Sequence, residues 1–284
     1  MDQPIRIAGV PEHFNLPWHL AIEEGAFSDR GIELNWTDVP EGTGKMAGML
    51  ASGNADLAVI LTEGLVRAVA SGIHAVIIQE YIASPLLWGI HVSASSPYKR
   101  EADLKGRTAA ISRFGSGSHL MAIVHAKQKG WPLSDLRFEE VHTLQGAVDG
   151  LSAGRADYFM WEKFTTQPLV DRGVFRRIGL FPTPWPCFVI ASSRAFADKY
   201  PGVLKDILEI INVYTREFKQ IPSIDRTLAN RYGLELNEVQ QWMSLTEWSQ
   251  KQILIETIEN VLDILDDLKL LSNSIQAQDL LWNP

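Results

Sequence analysis

The chain has 284 residues, a net charge of −8, a single cysteine and an apolar fraction of 46%. That length suits one large domain or two medium ones, and the apolar content excludes a disordered chain. The acidic balance argues against nucleic acid as the main partner, while the lone Cys187 excludes an internal disulfide and any multi-cysteine zinc or iron–sulfur site.

Short β-type runs alternate with helical patterns over the first two-thirds, the mark of an α/β protein with mostly parallel strands. Met1-Asp2-Gln3-Pro4 leads straight into an apolar stretch without the basic, long-apolar and small-residue pattern of an export signal. The chain is therefore either cytoplasmic, or periplasmic with its signal already trimmed. No apolar run is long enough to cross a bilayer. Residues 5–10 predict the first strand. Asn15 is placed to cap the next helix, with Pro17 in the first turn, where a missing N–H costs nothing. In residues 32–39, Ile32, Leu34 and Trp36 share one face of a strand. A Gly42-Thr43-Gly44 turn opens a helix through Met46, Met49 and Leu50. Residues 57–61 read as a buried strand, 65–70 as a short helix and 75–82 as another strand.

The order then recurs, with strands at 107–111, 138–141 and 158–161 and helices at 116–129 and 144–153. Inside the recurrence one heptapeptide is nearly repeated. Residues 50–56 read Leu-Ala-Ser-Gly-Asn-Ala-Asp and residues 151–157 read Leu-Ser-Ala-Gly-Arg-Ala-Asp. In both, a helix ends at a glycine suited to a left-handed C-cap, and an Ala-Asp pair leads into a buried strand. Two lobes of similar design account for this better than chance. After residue 192 the pattern turns helical: a helix over 201–220, one capped by Ser223 and ending at Gly233, and one capped by Asn237. A long amphipathic helix follows over 250–270, with Ile253, Ile258, Val261, Leu262 and Leu265 on its apolar side.

The chain resembles the type 2 periplasmic (solute) binding proteins, in the branch that holds the nitrate-, sulfonate- and taurine-binding proteins and the NMT1/THI5-like proteins. The resemblance is carried by Ile5-Arg6-Ile7-Ala8, by residues 21–27 with Gly31-Ile32-Glu33-Leu34, by the 50–56 corner, and by Asp103-Leu104-Lys105-Gly106-Arg107-Thr108 leading to Gly115-Ser116-Gly117-Ser118. It implies a two-lobed α/β venus-flytrap fold. Residues 1–88 and 187–284 would form lobe one, with the helical tail packed on it, and residues 89–186 lobe two. It also implies the substrate-binding component of an ABC-type importer: a monomer without cofactor or metal, closing on a small solute and docking on a membrane permease.

Open α/β sheets bind ligands at the carboxyl ends of their strands. Arg113-Phe114-Gly115-Ser116-Gly117-Ser118-His119 follows a strand and opens a helix, so its free N–H groups, two hydroxyls and Arg113 suit an anion. A plain glycine-rich turn is the alternative. Thr43 and Gly44 hold the matching position in lobe one. His13 and Trp18 follow the first strand, Thr62 and Glu63 the 57–61 strand, and Trp161 and Glu162 its repeat. Trp185, in a proline-rich stretch, could join Trp18 and Trp161 in an aromatic wall for a flat ligand. These features favour a solute that is anionic, heteroaromatic or both, such as a sulfonate, nitrate or a thiamine-pyrimidine precursor. No nucleophile elbow or histidine pair suited to metal is present. Some proteins of this fold are enzymes of pyrimidine-precursor or menaquinone synthesis. A lone cysteine cannot supply the cysteine-rich stretch of the former, and the latter stays open as the alternative to pure binding.

Overall fold

In the computed structural model, which describes residues 3–283, the chain builds two five-stranded sheets. Met1 and Asp2, where the sequence was read for an export signal, lie outside the described residues. Two compact units emerge: one holds the chain up to Ser84 and again from Trp185, the other holds Pro85–Pro184. The sequence reading set these divisions at 88/89 and 186/187.

The first unit begins with β1 (Ile5–Gly9), α1 (Leu16–Glu23), β2 (Leu34–Asp38), α2 (Thr43–Ala51), β3 (Leu57–Leu61), α3 (Thr62–Ala70) and β4 (Ala75–Ile82). The second comprises β5 (Leu87–Ser93), β6 (Thr108–Ile111), α4 (Gly117–Gln128), β7 (Arg137–Glu140), α5 (Leu144–Ser152), β8 (Tyr158–Glu162), α6 (Gln167–Asp171) and β9 (Phe175–Pro182). The chain then completes the first unit with β10 (Phe188–Ser193), α7 (Arg194–Lys199), α8 (Pro201–Glu217), α9 (Ile224–Tyr232), α10 (Leu236–Leu245), α11 (Ile255–Asp267) and α12 (Ala277–Leu280).

The strand order is β2-β1-β3-β10-β4 in the first unit and β7-β6-β8-β5-β9 in the second. Each order places two strands parallel around a parallel core strand, followed by two antiparallel steps. β3 and β10 are buried along nearly their whole length, as strands in the middle of a covered sheet must be.

The repeated heptapeptide builds the same corner twice. Gly53 and Gly154 both adopt φ of +68°, a left-handed conformation that glycine reaches at little cost. The N–H of Asn54 and of Ala55 donates to Met49 O, and those of Arg155 and Ala156 to Gly150 O. One oxygen of the Asp56 carboxylate accepts the Arg6 N–H at 2.9 Å, and one of Asp157 accepts the Thr108 N–H at 2.8 Å. Each aspartate thus ties the start of its own strand to the start of the parallel neighbour. This is the physical content of the Ala-Asp pair.

Three strands went unread, and all three are antiparallel: β5, β9 and β10. β5 carries Gly89 and His91, and β9 carries Arg176 and Arg177, residues that dilute a strand pattern. Long-range contacts compensate for them. The Arg176 guanidinium donates to the carbonyl oxygens of Ala94, Ser96 and Tyr98, and Gly89 leaves room for the His91 ring, whose Cε1 would lie 2.3 Å from a Cβ there. The predicted helix over 250–270 is shorter, because residues 247–251 run along the edge of β4 instead. There Ala83 N–H donates to Glu247 O, Ser249 N–H to Tyr81 O and Glu80 N–H to Lys251 O. Asn237 lies inside α10, whose N-cap is Glu235, and the Asn15 side chain donates back to Val10 O at 2.8 Å instead of capping α1.

Candidate functional site

In the first unit the predicted residues gather at the carboxyl edge of β1 and β3, the edge where antiparallel β10 begins and β4 ends. Here α2 and α3 both start. Thr43 lies against the first turn of α3, so close that a Cβ on Gly64 would come within 2.1 Å of its Cγ2. The Thr62 hydroxyl donates to Pro186 O at 2.6 Å, and its N–H to Cys187 O at 3.0 Å. These bonds hold the α3 start to the segment that returns into β10. Next to it, Glu63 is 1% exposed, and its Oε2 accepts the Trp185 indole N–H at 2.8 Å. Its Oε1 has no hydrogen-bond partner. Burial, against weaker opposing pulls from its own N–H, Trp185 and Arg67, pushes this carboxyl up to about 7. Gly44, in the first turn of α2, is exposed.

Two other predicted residues of this unit belong to its core. Trp18 is fully buried between Phe27, Trp36 and Tyr81, so it packs the interior rather than walling an open pocket. His13 stacks on Phe14 and meets the edge of Trp242 at 4.3 Å. Burial holds its imidazole down at about 3, so the ring is neutral at physiological pH. A groove of about 630 Å³ lined by His74, Arg194, Asp198, Asp279 and Trp282 lies at the opposite edge of this sheet, and none of the predicted residues borders it. The chemistry of the first unit is therefore better located by Glu63 and its neighbours than by that concavity.

In the second unit the predicted loop follows β6 and starts α4, again at a carboxyl edge. Ser116 is the N-cap and accepts from His119 N–H, while Gly117 is the first helical residue. The N–H groups of this first turn have no intrahelical acceptor, which leaves a partial positive charge there. The serine hydroxyls are spent on the corner itself. Ser118 Oγ accepts the Ser112 N–H at 3.0 Å and sits 3.0 Å from Ser116 Oγ. Both serines are buried, so their hydroxyls serve the corner and are not presented to solvent. His119 Nδ1 accepts the Gly115 N–H at 3.1 Å, and Arg113 is half-buried.

Trp161 is half-buried, stacked on Phe159 at 5.2 Å and packed on the small core beneath α5. Glu162 is buried, and its Oε2 accepts both the N–H and the hydroxyl of Thr165, at 2.6 and 2.8 Å. Burial raises its carboxyl above the usual range, and those bonds work against the rise. Both bonds are local and meet at one oxygen: Glu162 ends a strand and orders the turn after it.

Two residues were given no role of their own from the sequence, although Phe114 lies within the quoted 113–119 stretch. Phe114 is 63% exposed beside His119 and Phe138, an aromatic edge at the mouth of the α4 turn. Lys163 is buried at the end of β8 with its ammonium 4.3 Å from the Phe164 ring centre. A signal for Lys163 did exist. The corner aspartates Asp56 and Asp157 lie 157 − 56 = 101 positions apart, which maps Thr62 onto Lys163 and Glu63 onto Phe164. The pairing with Trp161 and Glu162 was out of step with that spacing.

Solved structures of low sequence identity share this architecture. The chain matches the Candida albicans CA3427 gene product with a TM-score of 0.90 at 22% identity, covering 98% of this chain and 96% of that one. It matches the alkanesulfonate-binding protein SsuA from Xanthomonas axonopodis pv. citri with 0.84 at 17%, covering 99% and 98%. The periplasmic nitrate-binding protein NrtA from Synechocystis PCC 6803 follows at 0.74 and 13%, covering 97% and 84%. The chain has the type 2 periplasmic-binding-protein fold, with two lobes and a helical C-terminal region. More narrowly, residues 88–181, nearly all of the second unit, match the family model of Ca3427-like periplasmic binding proteins. No curated protein matches the chain.

Proposed function

We propose that this protein is the solute-binding component of an ABC-type importer and performs no chemistry of its own. One observation carries the reading. Two units of the same strand order, each built around the same aspartate corner, both turn their helix starts and their buried charged residues to the carboxyl edge of the sheet. That duplicated edge is where open α/β sheets take ligands. A small solute held by both units favours the closed arrangement by its differential affinity for it. Supporting the same reading, the structural relatives include proteins that bind alkanesulfonates and nitrate.

The α4 turn with Arg113 suits an anionic group, and the exposed Phe114 beside it suits a flat or apolar body, whereas Trp185 is buried against Glu63. A sulfonate, nitrate or an anionic pyrimidine is the class we assign. The protein acts outside the cytoplasmic membrane as a monomer that delivers its cargo to a permease. Among the described residues, no helix is long and apolar enough to cross a membrane.

The test is a thermal-shift screen against sulfonates, nitrate, carboxylates and pyrimidines, with each hit incubated and weighed by mass spectrometry. Stabilisation with the solute recovered unchanged is the expected result. A solute converted to a new mass would make the protein an enzyme on this fold.

A further inference from the structure

Glu63 has two carboxylate oxygens in different situations. Oε2 is fixed by the Trp185 indole N–H at 2.8 Å, and an indole nitrogen can only donate. Oε1 is buried and has no partner. Buried polar side-chain atoms are nearly always hydrogen-bonded, so an orphan oxygen on a fully buried acid calls for an explanation. Tethering Trp185 does not provide one, since that bond uses Oε2 alone. Nor does the helix start suffice: a carboxylate benefits from the positive end of α3, but an exposed one would gain that without the cost of burial. The acid is bonded to Trp185 before β10, and its neighbour Gly64 packs on Thr43 at the α2 start, at the carboxyl edge assigned above to the solute.

The chemistry of the missing partner follows from that of the oxygen. An N–H donor against Oε1 would hold the carboxylate in its ionised form, which only accepts hydrogen bonds and repels sulfonate, nitrate and carboxylate groups alike. We infer that Glu63 recognises the solute in the first unit and selects one carrying an N–H donor (an amine, an amidine or an amino-substituted heteroaromatic ring) over a bare oxyanion. This rests on the solute-binding reading and narrows it.

Matched pairs that differ only in the N–H group test the inference: taurine against ethanesulfonate, and 4-aminopyrimidine against 4-methylpyrimidine. Titration calorimetry on the wild type and on Glu63→Gln is the readout. The expected result is at least tenfold tighter binding of one aminated member than of its partner in the wild type. Glu63→Gln should bring that preference within threefold. Glu63→Asp keeps the acid and should retain part of the preference, which secures the test if Glu63→Gln misfolds. Equal binding within each pair in the wild type, or a preference that survives Glu63→Gln, overturns the inference while leaving solute binding intact. Binding of neither aminated compound overturns it too, and the broader reading falls only if every oxyanion and pyrimidine of the thermal-shift screen is also silent.

Discussion

Lowering the pH from 7 to 5 should weaken the second unit through His91, by an amount its surroundings set. The ring is wholly buried, and its Nδ1 lies 3.3 Å from Phe159 O, which can only accept, so that nitrogen carries the hydrogen. Nε2 then accepts the Arg177 Nε–H at 3.3 Å and lies 2.9 Å from the Thr166 hydroxyl oxygen. A proton on Nε2 would remove that acceptor and face the guanidinium. Burial first, and Arg177 second, hold the imidazole down at about 3. The folded value lies below the unfolded one, so this stability is present above the unfolded value near 6.5 and is lost as the pH falls toward 3. At pH 5 the unfolded ring is protonated and the folded ring is not, a loss of about 2 kcal/mol over 1.5 pH units. Urea unfolding followed by far-UV circular dichroism at the two pH values measures it. His91→Asn, whose amide can still donate to Phe159 O, should lose about 2 kcal/mol less than the wild type on acidification. A variant that kept the full acid loss would refute the assignment of His91 as a neutral core residue.

Glu63 should produce the opposite slope. Its folded value of about 7 lies above the unfolded 4.5, so the wild type should lose stability as the pH rises through that window, by about 3 kcal/mol, and Glu63→Gln should flatten this. Asp56→Ala and Asp157→Ala should each cost about 2 kcal/mol in urea unfolding, the usual worth of charged hydrogen bonds to backbone N–H; a negligible cost for either would break the equivalence of the two corners. In β9, a Cβ on Gly179 would lie 2.2 Å from the Glu101 Oε1, whose carboxylate also binds His125 and Lys129. Gly179→Ala should therefore lower the melting temperature, and Gly179→Ala with Glu101→Ala should recover part of the loss.

How much of this was legible depended on the range of the forces involved. The aspartate corners could be read because their hydrogen bonds close within a few residues, or onto a parallel neighbour that recurs at the same spacing. Helix starts at Thr43 and Ser116 were legible for the same reason. β5 and β9 were not, since what makes His91, Arg176 and Arg177 acceptable in strands is contact with residues elsewhere in the sequence: Phe159, Ala94 and Lys163. Among the site residues, Glu63 could be named from its position after β3, but its burial and its bond to Trp185 span 122 positions. Trp18 and His13 were misjudged in kind. Their sequence neighbours place them at an edge, and only the packing of Trp36, Tyr81 and Trp242 encloses them.

The order of strands in the first sheet has a consequence for the birth of the protein. β10 is made last, yet it lies between β3 and β4 and pairs with both. While the ribosome has not yet released residue 193, the first unit has two apolar strands whose inner edges lack their partner, and such edges invite pairing with other chains. The second unit is one continuous stretch, Pro85–Pro184, with all five of its strands already in hand. Domains fold as units once their chain is complete, so the second unit should reach its native state before the first, whose opening strands were synthesised earlier.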